Sequence, residues 1–258
     1  MQKLCTRVFA VCSVTAVAAI GATLPAGSAA NRAIFHHPRV GVSRPGTRAL
    51  GWASSNWSGY AIAGSGYTSV TAKWTVPAVA PSRRASYSAD WVGIDGYNNS
   101  DLIQTGTESD YYNGSAHYAA WWEILPAAET VIPSITVRPG DTITASIAKA
   151  SRASQWMITI TDGRQTFSTT QTYTGPQTSA EWIEEAPSVG GRIASLANYG
   201  QTTFDPGTVN GQNPGLSASE GGVMIQKGAQ VSTPSNPDVD TDGFNSAYGA
   251  AAPAPPAS

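Results

Sequence analysis

Residues 91–123 decide the expected fold, and they read WVGIDGYNNSDLIQTGTESDYYNGSAHYAAWWE. Apolar and polar side chains alternate around Gln104, so a β-strand there would direct the Gln104 amide to one face of a sheet. On the next candidate strand, Trp121 and Glu123 share a face, and Trp122 points to the other. The stretch therefore predicts strands that carry an amide and a carboxylate among tryptophans.

The same alternation recurs along most of the chain. The further predicted strands are residues 70–76, 135–137, 142–147, 156–160, 167–173, 223–231 and 243–248. Asp162-Gly163 between two of these runs is a strong hairpin signal. No long stretch keeps a helical period. Many short strands separated by turn residues predict an all-β, single-domain sandwich of two antiparallel sheets.

Residues 1–30 have the pattern of a secretory signal peptide, with basic residues, an apolar run and small residues in that order. The apolar run is too short to remain as a membrane-spanning helix. Both cysteines, Cys5 and Cys12, lie inside this segment, so the mature chain would have no disulfide and no thiol nucleophile. We expect a secreted, extracellular protein that is free of the membrane once the signal is removed.

Charge divides the rest of the chain into a basic leader and an acidic domain. Residues 31–50 contain four arginines and no acid. Removing the six basic residues of positions 1–50 from the total of 15 leaves nine against 17 acids, a net charge of −8 from residue 51 onward. The leader is either a pro-segment that covers an acidic surface or a solvated linker. Such an acidic domain argues against nucleic acid as a partner.

The expected organisation is a pro-segment at residues 31–50, a β-sandwich domain at 51–249 and a disordered alanine-proline tail at 250–258.

Few catalytic chemistries fit the residues of this domain. His117 is its one histidine, and no His-Glu-x-x-His pattern is present, so we expect neither a metal nor a cofactor. Residues 238–243 resemble part of a calcium loop. Because Gly249 stands where such a loop has glutamate, we interpret them as a turn.

If the domain hydrolyses its substrate with carboxylates and amides, it needs a carboxylate that takes a proton from water and a donor that holds the oxyanion. A glutamate such as Glu181 can do the first in a mildly acidic medium. The amide of Gln104 can do the second without carrying charge. Spacing alone leaves other readings open, because Gln104 could be an ordinary strand residue and Glu181 one of three acids on a solvated edge.

Five motifs occur in order and together resemble the glutamic peptidases, or eqolisins. They are Asn-Trp-Ser-Gly at 56–59, Trp-Val-Gly-Ile-Asp-Gly at 91–96, Leu-Ile-Gln-Thr-Gly at 102–106, Trp-Trp-Glu at 121–123 and Ala-Glu-Trp-Ile-Glu-Glu at 180–185. Each motif alone is weak, but five in order are specific. The match runs from residue 56 to the C-terminal strands.

The resemblance implies that Gln104 and Glu181 form the catalytic dyad, with Glu181 as general base and then acid and Gln104 as the stabiliser of the tetrahedral intermediate. It places the family's active-site tryptophan and aspartate on Trp91 and Asp95, and its supporting glutamate on Glu123. It also implies a concanavalin-like sandwich, a propeptide, an acid optimum without pepstatin sensitivity, and no metal.

We therefore predict a secreted acid endopeptidase, made as a zymogen, that cleaves polypeptides and works as a monomer. The alternative is a secreted glycoside hydrolase or carbohydrate-binding β-sandwich, which would use paired carboxylates and tryptophan platforms and would give Gln104 no role.

Overall fold

Short alternating runs become strands throughout the protein, because one face of each can be buried while the other stays polar. The computed structural model describes residues 33–43 and 50–258, which belong to the unit Arg32–Ser258. The predicted signal peptide lies outside the described residues. The strands are β1 Ile34–Phe35, β2 Trp52–Ser54, β3 Trp57–Ala63, β4 Ser69–Thr75, β5 Ala89–Ile94, β6 Ile103–Tyr112, β7 Ser115–Ile124, β8 Thr130–Val131, β9 Thr142–Lys149, β10 Gln155–Thr161, β11 Thr166–Thr172, β12 Ser179–Glu185, β13 Ser188–Val189, β14 Gln201–Val209, β15 Gly221–Gln226, β16 Ala229–Pro234 and β17 Phe244–Tyr248.

The strands form one large sheet and one small one, and the all-β prediction is confirmed. The large sheet follows the order β11-β10-β9-β4-β14-β17-β16-β15-β3-β12-β5-β6-β7-β8, with β2 beside β15. Strands β1 and β13 form a separate antiparallel pair. A single 3₁₀ helix, Ala218–Glu220, is the only helical element among the described residues.

The main hydrophobic core joins the two ends of the large sheet. Ile143 and Ile147 of β9 belong to the same buried cluster as Val92 and Ile94 of β5 and Ile103 of β6. Strands that are distant along the hydrogen-bonded path therefore pack face to face, as a sandwich requires.

Most predicted strands are present, and two predictions differ from the structure, the single strand at 223–231 and the strand at 135–137. The run at 223–231 is a hairpin of β15 and β16, with its turn at Lys227 and Gly228, both at positive φ. Residues 135–137 form no strand. The Thr136 backbone N–H donates to the side chain of Gln165 over 3.0 Å instead of joining a ladder.

The leader and the tail flank this domain. Leader residues 33–43 lie against the large sheet, whereas 44–49 are outside the described residues. The tail after residue 249 forms no strand or helix, and the Ala254 carbonyl accepts a 2.8 Å hydrogen bond from Asn245 Nδ2. No helix in the described part of the chain combines the length and apolar character needed to cross a bilayer.

Candidate active site

Cross-strand register places the residues of the predicted dyad in one row. Glu181 of β12 lies opposite Gly93 of β5, Gly93 opposite Gln104 of β6, and Gln104 opposite Glu123 of β7. Directly opposite residues of antiparallel strands share a face. We call the face that carries Glu181, Gln104 and Glu123 the site face, and the opposite side of these strands the core face.

Gly93 leaves a gap in the middle of this row. With strands 4.7–4.9 Å apart, the Cα atoms of Gln104 and Glu181 are roughly 9–10 Å from each other. A Cβ on Gly93 would lie 2.7 Å from the ring of Trp91, so a side chain cannot be added without displacing Trp91. The amide and the carboxylate therefore face each other across a space that the sequence keeps free of a side chain.

Glu123 orients the Gln104 amide. Gln104 Nε2 donates a 2.6 Å hydrogen bond to Glu123 Oε2, and both side chains are fully buried. Burial raises the pKa of Glu123 from 4.5 to about 8, although the nearby His36 charge and the Gln104 donor act in the other direction. An amide nitrogen has two N–H donors, so one remains for another acceptor while the other is held by Glu123.

Glu181 is fully buried, and neither of its carboxyl oxygens has a hydrogen-bond partner. Burial raises its pKa well above 4.5, and the charge of Asp95 adds to the shift. An unpartnered buried carboxyl group costs stability, and such groups persist mainly where they have a function.

Asp95 lies at the end of β5 with a positive φ of 72°. Its carboxylate accepts hydrogen bonds from Tyr173 Oη at 2.6 Å and from the backbone N–H groups of Gln177 and Thr178 at 2.9 and 2.8 Å. It therefore fixes the segment that leads into β12. Its effect on Glu181 is through its charge.

Trp91 lies on the site face two residues before Gly93, opposite Gly106, and is fully buried. Its ring nitrogen donates a 2.9 Å hydrogen bond to Glu185 Oε2. Its ring packs edge-on against Trp57 at 4.9 Å. Trp91 thus supports both the site face and the carboxylate that holds the leader.

The leader places His36 over the site face. The imidazole stacks on Trp121 at 3.7 Å. Its Nδ1 lies 2.9 Å from Glu185 Oε2, and its Nε2 lies 3.0 Å from Glu108 Oε1 and 3.4 Å from Glu129 Oε2. The His36 backbone N–H also donates to Glu123 over 3.4 Å. Burial would lower the pKa of His36, but the charge of Glu185 and the surrounding carboxylates outweigh it and raise the pKa well above 6.5.

Asn56 holds the leader backbone that follows. Its Nδ2 donates to the carbonyls of His37 and Pro38 over 3.3 and 3.2 Å, and its Oδ1 accepts from the Val40 N–H over 2.8 Å. The Arg39 guanidinium lies 4.4 Å from the centre of the Tyr97 ring. A basic leader therefore contacts an acidic and aromatic surface, which favours the covering pro-segment over the solvated linker.

Sequence analysis did not predict that Glu108 and Glu185 surround His36. Glu108 follows Gln104 by four residues and Glu185 follows Glu181 by four, so strand periodicity places both on the site face. That signal could have been found. His117, in contrast, stacks on Tyr112 at 3.8 Å and hydrogen-bonds with Ser115 and the Tyr112 carbonyl, so its contacts are with its own hairpin and not with the site face row.

The fold is an all-β sandwich, and one sheet face carries a buried row of an amide and carboxyl groups. The sequence pattern of the Peptidase A4 family matches residues 55–245, so the chain belongs to that family. It is a glutamic endopeptidase.

Relatives with known names agree with this assignment. Aspergillopepsin-2 of Aspergillus niger is 31% identical over 70% of this chain and 73% of its own. Scytalidopepsin B of Scytalidium lignicola is 34% identical over 51% of both chains. A crystal structure of aspergilloglutamic peptidase from Aspergillus niger is 26% identical, with a TM-score of 0.54 over 63% of this chain and 99% of that one. A scytalido-glutamic peptidase bound to a transition state analog inhibitor is 24% identical and shares the fold, with a TM-score of 0.64 over 75% of this chain and 98% of that one.

Proposed function

We propose that the protein is a secreted acid endopeptidase that hydrolyses polypeptides with Gln104 and Glu181 and is made as a zymogen. The observation that carries this proposal is the row in which Gln104, oriented by Glu123, faces Glu181 across Gly93. Family membership favours this interpretation over the glycoside hydrolase alternative.

In the proposed reaction, ionised Glu181 takes a proton from water, and the water oxygen attacks the scissile carbonyl carbon. The N–H of Gln104 that is not bonded to Glu123 donates to the developing oxyanion. Glu181 then gives the proton to the leaving amine, so the group ends in its starting state. One such donor is typically worth roughly 2.7–4 kcal/mol of transition-state stabilisation.

The protonation of Glu181 sets the lower pH limit of the proposed reaction. Its buried carboxyl group has a raised pKa while the leader is in place, so Glu181 is protonated in acid and cannot accept a proton from water. Water that enters after leader removal would reduce the desolvation, and the pKa would fall toward the ordinary value of about 4.3. The ionised base would then be available in a mildly acidic medium.

The leader is proposed to inhibit the enzyme by occupying the site face. His36 contacts Glu123, the residue that orients Gln104, and covers Trp121 in the neighbouring row. A polypeptide substrate would need the same surface. Removal of residues 31–50 would therefore precede activity.

The test is digestion of denatured casein by the processed protein at about pH 4 and about pH 7, with pepstatin and a metal chelator present. We expect cleavage in acid only, unaffected by either inhibitor and lost in Gln104→Ala and Glu181→Gln. Gln201→Ala, on an exposed strand position, and Glu220→Gln, at the 3₁₀ helix, are the matched controls and should keep full activity. Wild-type activity in a folded Glu181→Gln variant would disprove the dyad.

A further inference from the structure

Three aspartates converge at a place remote in sequence from the dyad motifs. One carboxylate oxygen from each of Asp205, Asp238 and Asp242 lies within 4.8 Å of the other two. Asp205 comes from β14, and the other two come from the loop that precedes β17. Every ion pair within 4.0 Å among the described residues involves His36, so none of these three aspartates has a basic partner at that distance.

The backbone aims Asp238 into the cluster. Its Oδ1 accepts hydrogen bonds from the N–H groups of Asp242 and Gly243 over 3.1 and 3.2 Å. The side chain is 94% buried, given a relative exposure of 6%. Its other oxygen, Oδ2, is buried and has no hydrogen-bond partner, and the same holds for Asp242 Oδ1. Two buried carboxyl oxygens of the cluster therefore lack a hydrogen-bond partner.

The surrounding chain is fixed in this arrangement. The register of β14 against β4 shifts between Phe204 and Gly207, and Asp205 lies within that irregularity, a feature that commonly redirects a side chain. The Asp242 carbonyl accepts from the Gly207 N–H over 2.8 Å, which ties the loop to β14. A Cβ on Gly243 would lie 2.5 Å from Asp238 Oδ2 and 2.9 Å from Asp205 Cγ, so glycine allows the two carboxyl groups to approach.

We propose that Asp205, Asp238 and Asp242 bind one calcium ion that stabilises the fold. Calcium takes oxygen ligands at 2.3–2.6 Å, so two oxygens on one ion are at most about 4.6–5.2 Å apart, and the observed separations fit this limit. Three carboxylates leave room for the water ligands that complete a coordination number of six to eight. Magnesium needs a tighter octahedron and suits this spacing less well.

The charge balance of the cluster supports a cation. The three carboxyl groups lie within 4.8 Å of one another, so their negative charges repel when they are ionised. Lys73 is the one basic group that acts on Asp205, and it lies on the neighbouring strand β4 without forming an ion pair. A divalent ion would remove this repulsion and satisfy both unpartnered oxygens at once.

The experiment measures thermal unfolding of the chelator-treated protein at about pH 6, where carboxylates are ionised enough to bind metal. Calcium chloride is added up to about 10 mM, ten times the weakest Kd typical of extracellular calcium modules. We expect one ion per chain by calorimetric titration and a rise in Tm of roughly 5–10 °C at a hundredfold excess over Kd. EDTA should reverse the rise, and magnesium at equal ionic strength should give less.

The variants separate a site from a general effect of charge. Asp205→Asn and Asp242→Asn should lose both the calorimetric signal and the Tm response. Asp240→Asn is the matched control, because Asp240 is an exposed residue of the same loop and lies outside the cluster, and it should respond like the parent. No binding up to 10 mM, equal effects of calcium and magnesium, or loss of the response in Asp240→Asn would each overturn the proposal. A metal-free Asp205→Asn protein that is more stable than calcium-saturated parent would also contradict it.

Discussion

Strand β12 carries buried acids on both of its faces, and the two faces use them differently. On the core face, Glu184 lies opposite Asp90, and both are essentially inaccessible to solvent. Burial raises the pKa of Asp90 from 3.8 to about 7 and that of Glu184 well above 4.5. The charge of Asp90 adds to the rise for Glu184, so the two side chains together hold a proton at pH values where separate acids in water are ionised.

On the site face, Glu123 and Glu185 have partners that are not carboxyl groups, whereas Glu181 has no hydrogen-bond partner. Glu123 accepts from the Gln104 amide, and Glu185 accepts from Trp91 and contacts His36 of the leader. Glu184 and Glu185 are adjacent in sequence, yet strand geometry sends them to opposite faces. The side of the strand, and not the residue type, therefore decides whether a glutamate serves the site or the interior.

The largest expected effect is a difference in kcat between a site-face variant and a core-face variant of β12. Glu181→Gln removes the proposed general base and should lower kcat about 10²–10⁴-fold, the range for acid–base catalysis, with an unchanged circular dichroism spectrum. Glu184→Gln, one row away on the core face, should keep kcat within about threefold, because its side chain does not reach the site face. Steady-state kinetics on one fluorogenic peptide with the leader removed measures both. Equal losses in the two variants would show that the faces are not functionally distinct.

The next effect concerns stability against pH. Between pH 3.8 and about 7 the folded protein keeps a proton on the Asp90–Glu184 pair that the unfolded chain releases. Because a raised pKa favours the folded state only while the group is protonated, this stabilisation is complete in acid and is lost as the pH rises through about 7. The loss should be on the order of 2–4 kcal/mol.

Urea unfolding at about pH 4.5 and about pH 7.5 measures this loss. In Glu184→Gln the amide can still donate to Asp90 but does not ionise, so the difference between the two pH values should shrink. A wild-type protein that is more stable at pH 7.5 than at 4.5 would contradict the assignment of the core-face pair.

Local pattern made much of this architecture predictable. Strand β10 is buried on one face, and β11 alternates between exposed and half-buried residues, so the alternation of both strands is visible in the sequence. Strands β5 and β12 are buried on both faces, and their alternation is hidden. The proposed roles of Gln104 on β6 and Glu181 on β12 rest on resemblance to a family and not on spacing.

Long-range contacts were not predictable from the residues alone. His36 meets Glu185 across 149 residues, and no local rule relates the two. Asp205 likewise joins Asp238 and Asp242 only because a strand irregularity and a loop meet in space. In the same way, the Gln165 contact that keeps residues 135–137 out of a strand was not visible in sequence.

The smallest expected effect tests whether the site face needs His36 of the leader as a partner for its carboxylates. A synthetic peptide of residues 31–50 should inhibit the processed enzyme, and His36→Ala in that peptide should raise Ki about 10–100-fold, because it removes the cation that Glu108, Glu129 and Glu185 surround. His37→Ala is the matched control, since His37 contributes its backbone N–H and carbonyl to the contact with Glu185 and Asn56.

Inhibition by the wild-type peptide should also weaken as the pH falls below about 7, where Glu108 takes up a proton and loses its charge. Equal Ki values for the two variant peptides would mean that the leader is held by its backbone, and that the carboxylates of the site face need no partner from outside.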